Sequence, residues 1–273
     1  MQPFLTDTMP DHPETAAAVS TLGTACCTCQ LSLACVPCGL AGIHRQPHPV
    51  MLFSRHRLLA GEILYRKGEP FHSVHAVRSG ALKSALSLAD GRTQVAAFHL
   101  PGEVFGFDGA ANGRHQCTVT ALEDTQTCAV SYEPLLALAT QLPPVQHDLH
   151  RLMSLELARA QWQLLLLGSM SAAERLAALL LDLSRRAAAR GHSPSEFRLR
   201  MTRCDIGSYL GVTAETVCRL LGGFKASNLL EVDSRRVRFV DLPAFARIYS
   251  ATVNWRPIRL HGEASARWGQ ALE

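Results

Sequence analysis

The chain has 273 residues, more than a single domain usually holds, with 47% hydrophobic and 18% charged side chains, an ordinary balance for a folded protein. The net charge of +4 is unevenly spread: residues 1–168 carry 11 Lys and Arg against 13 Asp and Glu, and residues 169–273 carry 16 against 10. A basic final third suits contact with phosphates, while the longest aliphatic run, Leu164–Leu167, is far too short to span a bilayer.

The first residues, Met1 to Asp7, lack a basic stretch followed by a long apolar one, so no secretory signal is expected and the chain is expected to be cytoplasmic. Residues 1–25 mix Pro, Thr, Ala and acidic side chains without periodicity and read as a mobile leader. Cys26, Cys27, Cys29, Cys35 and Cys38 then crowd together. In a reducing compartment, nine cysteines in all are a poor match for a disulfide framework. Clustered thiolates converge easily on one centre, because short spacings make loop closure cheap in entropy. Iron–sulfur ligation, a zinc site (Cys-x-x-Cys occurs twice, at Cys26/Cys29 and Cys35/Cys38) and thiol redox chemistry all remain open at this point. Of the isolated cysteines Cys117, Cys128, Cys204 and Cys218, the two on predicted strands, Cys117 and Cys128, are the better candidates for a distant fourth ligand.

From about Arg57 to Ser131, short apolar runs are punctuated by glycines. Ser73-Val-His-Ala-Val-Arg78, Thr93-Gln-Val-Ala-Ala-Phe98 and Cys117-Thr-Val-Thr-Ala121 read as strands, and Asp90-Gly91 as a hairpin turn. Strands at this spacing predict a β-barrel or jelly roll over residues 26–142. After Pro143-Pro144 a long helix is predicted over Val145–Leu167, within a connecting segment 143–168. Its apolar residues Leu149, Leu152, Met153, Leu157 and Leu164 suit a dimer seam or packing on the barrel. A second helix, Ala172–Arg190, should end at Gly191.

Residues 169–250 then read as a winged helix-turn-helix, with a tail at 251–273. Thr202-Arg-Cys-Asp205 has the form of a capping box, and its helix runs to Leu210 with Gly211 at the turn. Thr213 caps the next helix, Ala214–Lys225. At about 100° per residue, Val217, Leu220, Leu221 and Phe224 share one face, and Glu215, Cys218, Arg219 and Gly222 the other. That second face suits a major groove, where Arg219 could donate to guanine and Glu215 accept from cytosine. A plain surface pair between Glu215 and Arg219 is the bland alternative. Arg235, Arg236 and Arg238 follow in a hairpin-like stretch, as a wing on phosphates needs. No spacing of Cys, His, Asp or Glu supports an enzyme's catalytic constellation.

With these pieces located, the chain closely resembles the FNR branch of the bacterial CRP/FNR regulators. The resemblance runs over roughly residues 26–250, through Val77-Arg-Ser-Gly-Ala-Leu-Lys83, Phe98-His-Leu-Pro-Gly102, Val104-Phe-Gly-Phe-Asp108, Phe197-Arg-Leu-Arg-Met-Thr-Arg203, Asp205-Ile-Gly-Ser-Tyr-Leu-Gly211 and Glu215-Thr-Val-Cys-Arg-Leu-Leu221. It implies an α+β fold: a cyclic-nucleotide-binding-like β-barrel, a long dimerisation helix and a C-terminal winged helix-turn-helix. It also implies a 4Fe-4S cluster on Cys26, Cys29, Cys35 and Cys128, which leaves Cys27, Cys38 and Cys117 as bystanders. The implied behaviour is a homodimer that binds a palindromic TTGAT-like site and RNA polymerase without oxygen, and loses DNA affinity when oxygen degrades the cluster. Two departures stand out. The family's recognition serine is Cys218 here, and the acidic residue that opposes dimerisation in relatives is Ala160. Cyclic-nucleotide relatives use a Gly-Glu pair and an Arg-Ser; here the stretches read Gly106-Phe-Asp-Gly109 and His115-Gln-Cys117, so no cyclic nucleotide is expected. A zinc-stabilised regulator blind to oxygen is the alternative.

Overall fold

The computed structural model describes residues 53–250; Cys26, Cys29 and Cys35, the leader and the tail lie outside the described residues. Eight strands build two antiparallel sheets. One has the order β1 (Phe53–Leu58), β8 (Thr125–Ser131), β3 (Ser73–Ser79), β6 (Val104–Phe105); the other β2 (Ile63–Tyr65), β7 (Thr118–Ala121), β4 (Leu82–Ser87), β5 (Thr93–His99). Tyr65, Val77, Leu82, Phe105 and Val119 interdigitate between them, which follows from the period-2 alternation of strand side chains. The β4–β5 hairpin closes where Asp90-Gly91 predicts it, with Gly91 at φ +87° and Leu88 N–H donating to Arg92 C=O at 2.9 Å.

The expected jelly roll is present, and its described strands form two sheets that do not close on each other. Closure is replaced by cover. The edge strand β5 donates its Val95 N–H to Ser208 Oγ at 2.9 Å, so a helix from the C-terminal module satisfies the edge that a barrel would have paired.

Helix α1 (Tyr132–Gln141) leads into α2 (Pro143–Ser169), whose two prolines stand at its first turn, where their missing N–H groups go unneeded. At 27 residues α2 is about 40 Å long. Helix α3 (Ala172–Ala188) opens with a reciprocal capping box between Ser171 and Glu174 and ends just before Gly191, at φ +75°. The three-stranded sheet of β10 (Leu230–Asp233), β11 (Arg236–Phe239) and β9 (Glu196–Arg198) forms the wing. Helix α6 (Leu242–Ser250) then seats the fully buried Phe245 against the recognition module. The largest apolar cluster runs across both halves of the chain, joining Ala81, Val95, Phe98 and Leu100 of the jelly roll to Leu176, Leu180, Ile206 and Leu210. Among the described residues no helix is long and apolar enough to cross a membrane.

Candidate nucleic-acid interface

Helices α4 (Arg203–Leu210) and α5 (Ala214–Ala226) form the helix-turn-helix. The Thr202 hydroxyl accepts from Asp205 N–H at 3.1 Å while the Asp205 carboxylate accepts from Thr202 N–H at 2.9 Å, the reciprocal box read from the sequence. Gly211 ends α4 at φ +66°, and a Cβ on Gly207 would sit 2.6 Å from Val212 C=O, so both glycines are required for the tight approach of the turn. Thr213 Oγ1 accepts from Thr216 N–H at 3.1 Å and fixes where α5 begins.

Val217, Leu221 and Phe224 are buried beneath α5, Leu220 is half-buried, and Glu215, Cys218, Arg219 and Gly222 are exposed. The periodicity therefore places a carboxylate, a thiol and a guanidinium side by side on an open helix face, and Thr213 is exposed at its leading end. The wing is less simple than its arginines suggest. Arg235 is exposed at the hairpin turn, with its carbonyl accepting from Leu199 N–H at 2.7 Å. Arg236 is ion-paired with Glu196, and Arg238 with Glu231. Both pairs are at the surface, where such bonds contribute little.

On α2, Met153, Leu157, Ala160 and Leu164 are exposed, with Leu157 at 61% and Leu164 at 71%. Their spacing of four, three and four residues is that of a coiled-coil seam. Leu149 is the exception among the expected seam residues. It is only 6% exposed and packs with Leu135, Leu138 and Val145 against Val74 and Val130 of the sheet. Leu152 is half-buried. The first turns of α2 thus belong to the chain's own core, because Leu149 lies where α2 crosses α1.

Of the two cysteines expected on strands, Cys128 lies in β8, whereas β7 begins only at Thr118 and Cys117 sits in the bend before it. Cys117 is buried; its thiol donates to Asp108 Oδ2 at 3.2 Å, and burial pushes it up to about 12. Cys128 is half-buried on the other face of its sheet, level with Arg55 on β1 and Ala76 on β3. That face also carries Val74 and Val130, on which α1 and the base of α2 rest. Among the described residues no group of three or more His, Cys, Asp or Glu could hold a metal ion.

The space between the sheets carries polar side chains already committed to each other. Tyr65 and His115 stack at 3.6 Å, and His115 Nδ1 lies 3.1 Å from Asp108 Oδ1. Asp108 also accepts from the backbone N–H of Gln116 at 2.7 Å and of Cys117 at 3.1 Å. Burial would raise its carboxyl, but these bonds outweigh it and hold the group low.

Sequence reasoning missed the bonds between the two halves of the chain: Glu103 with Arg186, Lys83 with Asp205, and Arg200 with Glu123. No periodicity or motif marks partners so far apart along the chain.

Two family descriptions match the chain: a cyclic nucleotide-binding domain over residues 55–141 and a Crp-like helix-turn-helix domain over residues 174–248. The chain is 40% identical to the transcriptional regulatory protein btr of Bordetella pertussis, over 82% of this chain and 92% of that protein. It is 38% identical to the fumarate and nitrate reduction regulatory protein of Escherichia coli, over 84% of this chain and 92% of that one. Regulatory protein HlyX of Actinobacillus pleuropneumoniae is 40% identical over 78% of this chain and 88% of its own length. The solved structure of FixK2 from Bradyrhizobium japonicum superposes with a TM-score of 0.68 at 32% identity, covering 74% of this chain and 99% of that one. Capped helix-turn-helix, jelly roll and these likenesses agree: the chain belongs to the FNR branch of the CRP/FNR family of DNA-binding transcription regulators, and is not an enzyme.

Proposed function

We propose that this chain is a cytoplasmic, oxygen-responsive transcription activator that binds a palindromic TTGAT-like DNA site as a homodimer and contacts RNA polymerase there. Cys26, Cys29, Cys35 and Cys128 would hold a 4Fe-4S cluster, whose chemistry is to react with oxygen and so report its presence. The observation that carries this reading is the position of Cys128. Cys128 is half-buried on the face of the sheet that supports α1 and the base of α2, whereas Cys117 is buried between the sheets. A tether at Cys128 restrains the surface from which the dimer helix springs, and a modest bias there shifts a weak dimer equilibrium.

On DNA, Arg219 donates to the guanine of each half-site and Glu215 accepts from a cytosine, while Thr213, Arg235 and Arg236 serve phosphates. Cys218 takes the place of a serine and forms a weaker hydrogen bond, so the base opposite it is read less strictly. Leu152, Met153, Leu157, Ala160 and Leu164 form the seam between protomers, without the acidic repulsion that relatives carry at the position of Ala160. The Tyr65–His115 stack and the engaged Asp108 support the further reading that no cyclic nucleotide is bound.

Anaerobic purification tests the reading. About four iron and about four sulfide per chain, with visible absorbance that bleaches in air, are expected. Stoichiometric zinc with no sulfide would replace the sensor by a zinc-stabilised regulator that does not respond to oxygen.

A further inference from the structure

We propose that Glu103 and Arg186 are positioning residues that lock the DNA-binding module to the jelly roll of the same chain, and thereby set which half-site spacing the protein accepts. The inference rests on the reading of the chain as a dimer on a palindrome.

The pair is the most deeply buried of the ion pairs between the two halves. The Glu103 and Arg186 side chains are 2% and 12% exposed, while Lys83 and Arg200, which make the companion bonds to Asp205 and Glu123, lie nearer the rim at 27% and 36%. Its geometry is a fork: Arg186 Nε donates to Glu103 Oε1 at 2.8 Å and Nη2 donates to Oε2 at 2.6 Å. Two parallel bonds between planar groups fix an orientation as well as a distance, which a single contact or an apolar patch does not. The same guanidinium donates to Phe98 C=O through Nη2 at 2.5 Å.

Both ends of the fork are mounted on rigid supports. Glu103 stands in the turn between β5 and β6, where its carboxylate accepts from Leu100 N–H at 3.0 Å. The turn is tied to β3 by Gly102 N–H to Val77 C=O at 2.8 Å and by Val77 N–H to Glu103 C=O at 3.0 Å. Arg186 stands near the C-terminal end of α3. The other end of that helix is held by Arg175, which donates to Leu167 C=O at the end of α2 and to Leu210 C=O at the end of α4, at 2.8 and 2.9 Å. Helix α3 is therefore pinned at both ends, and α4 and α5 ride on it.

In a two-fold dimer, the separation of the two recognition helices equals the separation of the half-sites they can read. A change of one base pair moves a half-site by about 3.4 Å and rotates it by about 35°. A locked module cannot follow that change, and a loosened one can.

The test measures affinity for a labelled palindrome and for versions with one base pair added to or removed from its centre, using full-length protein prepared without oxygen. Wild type should lose on the order of tenfold for each altered spacing, as for other mismatched sites. Replacing both charges by apolar side chains, Glu103→Leu with Arg186→Leu, leaves no buried unpaired charge, so the chain should stay folded while losing the fork. That double variant should bind the native spacing more weakly and discriminate less than about threefold between spacings. Should it fail to fold, Arg186→Lys keeps the charge but cannot make the fork, and should show the same flattening. A folded variant that discriminates as wild type does overturns the lock, as does a wild type indifferent to spacing. A wild type that binds no palindrome at all removes the dimer reading, and the lock with it.

Discussion

At the scale of single residues, the open face of α5 offers the sharpest contrasts. Arg219→Ala removes a donor pair and should weaken binding by about 1–3 kcal/mol while relaxing the preference at one guanine. Competition binding against single-base variants of the site would measure this. Arg235→Ala should instead weaken all sequences alike and lower the salt slope by about one. Cys218→Ser, which restores a stronger hydrogen-bonding group, should sharpen the preference at the neighbouring base and leave the guanine contact unchanged. Identical base profiles for wild type and C218S would mean that the thiol does not face the bases. These residues were legible because helix periodicity alone decides which side chains a helix buries: Val217, Leu221 and Phe224 go under, so Glu215, Cys218 and Arg219 remain outside. The cysteines were only half legible. Predicted strands nominated Cys117 and Cys128 alike; that Cys117 falls just before β7 in the interior, while the register of β8 puts Cys128 on the outer sheet face, emerges only from the fold.

Among the elements, α2 makes the same point about faces in another form. The exposed run Met153, Leu157, Ala160 and Leu164 is the proposed seam, whereas Leu149 belongs to the cluster under α1. Leu149→Ala should lower stability by about 2–5 kcal/mol, the range for a cavity in a packed core, with little change in the dimer constant of the folded protein. Leu157→Glu should do the reverse, leaving the melting temperature of the monomer near wild type and shifting sedimentation towards the monomer. Ala160→Asp should weaken the dimer in the same direction, and an unchanged sedimentation profile for both variants would place the dimer contact elsewhere. The period of apolar residues revealed this helix and its length; it could not reveal which turns the chain's own α1 would cover. Capping signals read more faithfully, because Thr202 with Asp205, Thr213 with Thr216, and Gly211 all act within a single turn of backbone. The open edge of β5 was not legible, since its partner, Ser208, lies 113 residues away.

For the molecule as a whole, two buried histidines tie stability to pH. Burial pushes His75 and His99 down to about 3 from an ordinary value of 6.5, and the Nδ1 atom of each has no hydrogen-bond partner among the described residues. The unfolded chain takes up these protons below about 6.5 and the folded chain does not, so unfolding binds protons throughout that interval. Stability should be full above 6.5 and fall steadily as the pH drops towards 3, by at most about 1.4 kcal/mol per pH unit for each histidine. Thermal melts between pH 7.5 and 5 would follow this, and His75→Phe should reduce the slope; an unaltered slope would show that His75 is not the proton acceptor. The same long-range packing hid the Glu103–Arg186 fork from sequence reasoning, because 83 residues separate the partners and no local pattern points from one to the other. What the sequence could carry was the succession of modules, each built from local signals; how they bear on one another follows from contacts between distant segments.

The most direct measurement is affinity for the labelled palindrome in one anaerobic sample, followed with its visible absorbance before and after air is admitted. Loss of the absorbance and of DNA affinity together, with a shift from dimer to monomer, is the expected result. An affinity that stays constant while the absorbance bleaches, or a DNA-binding dimer that contains zinc and no sulfide, would contradict the role assigned to Cys128 and its partners as an oxygen sensor.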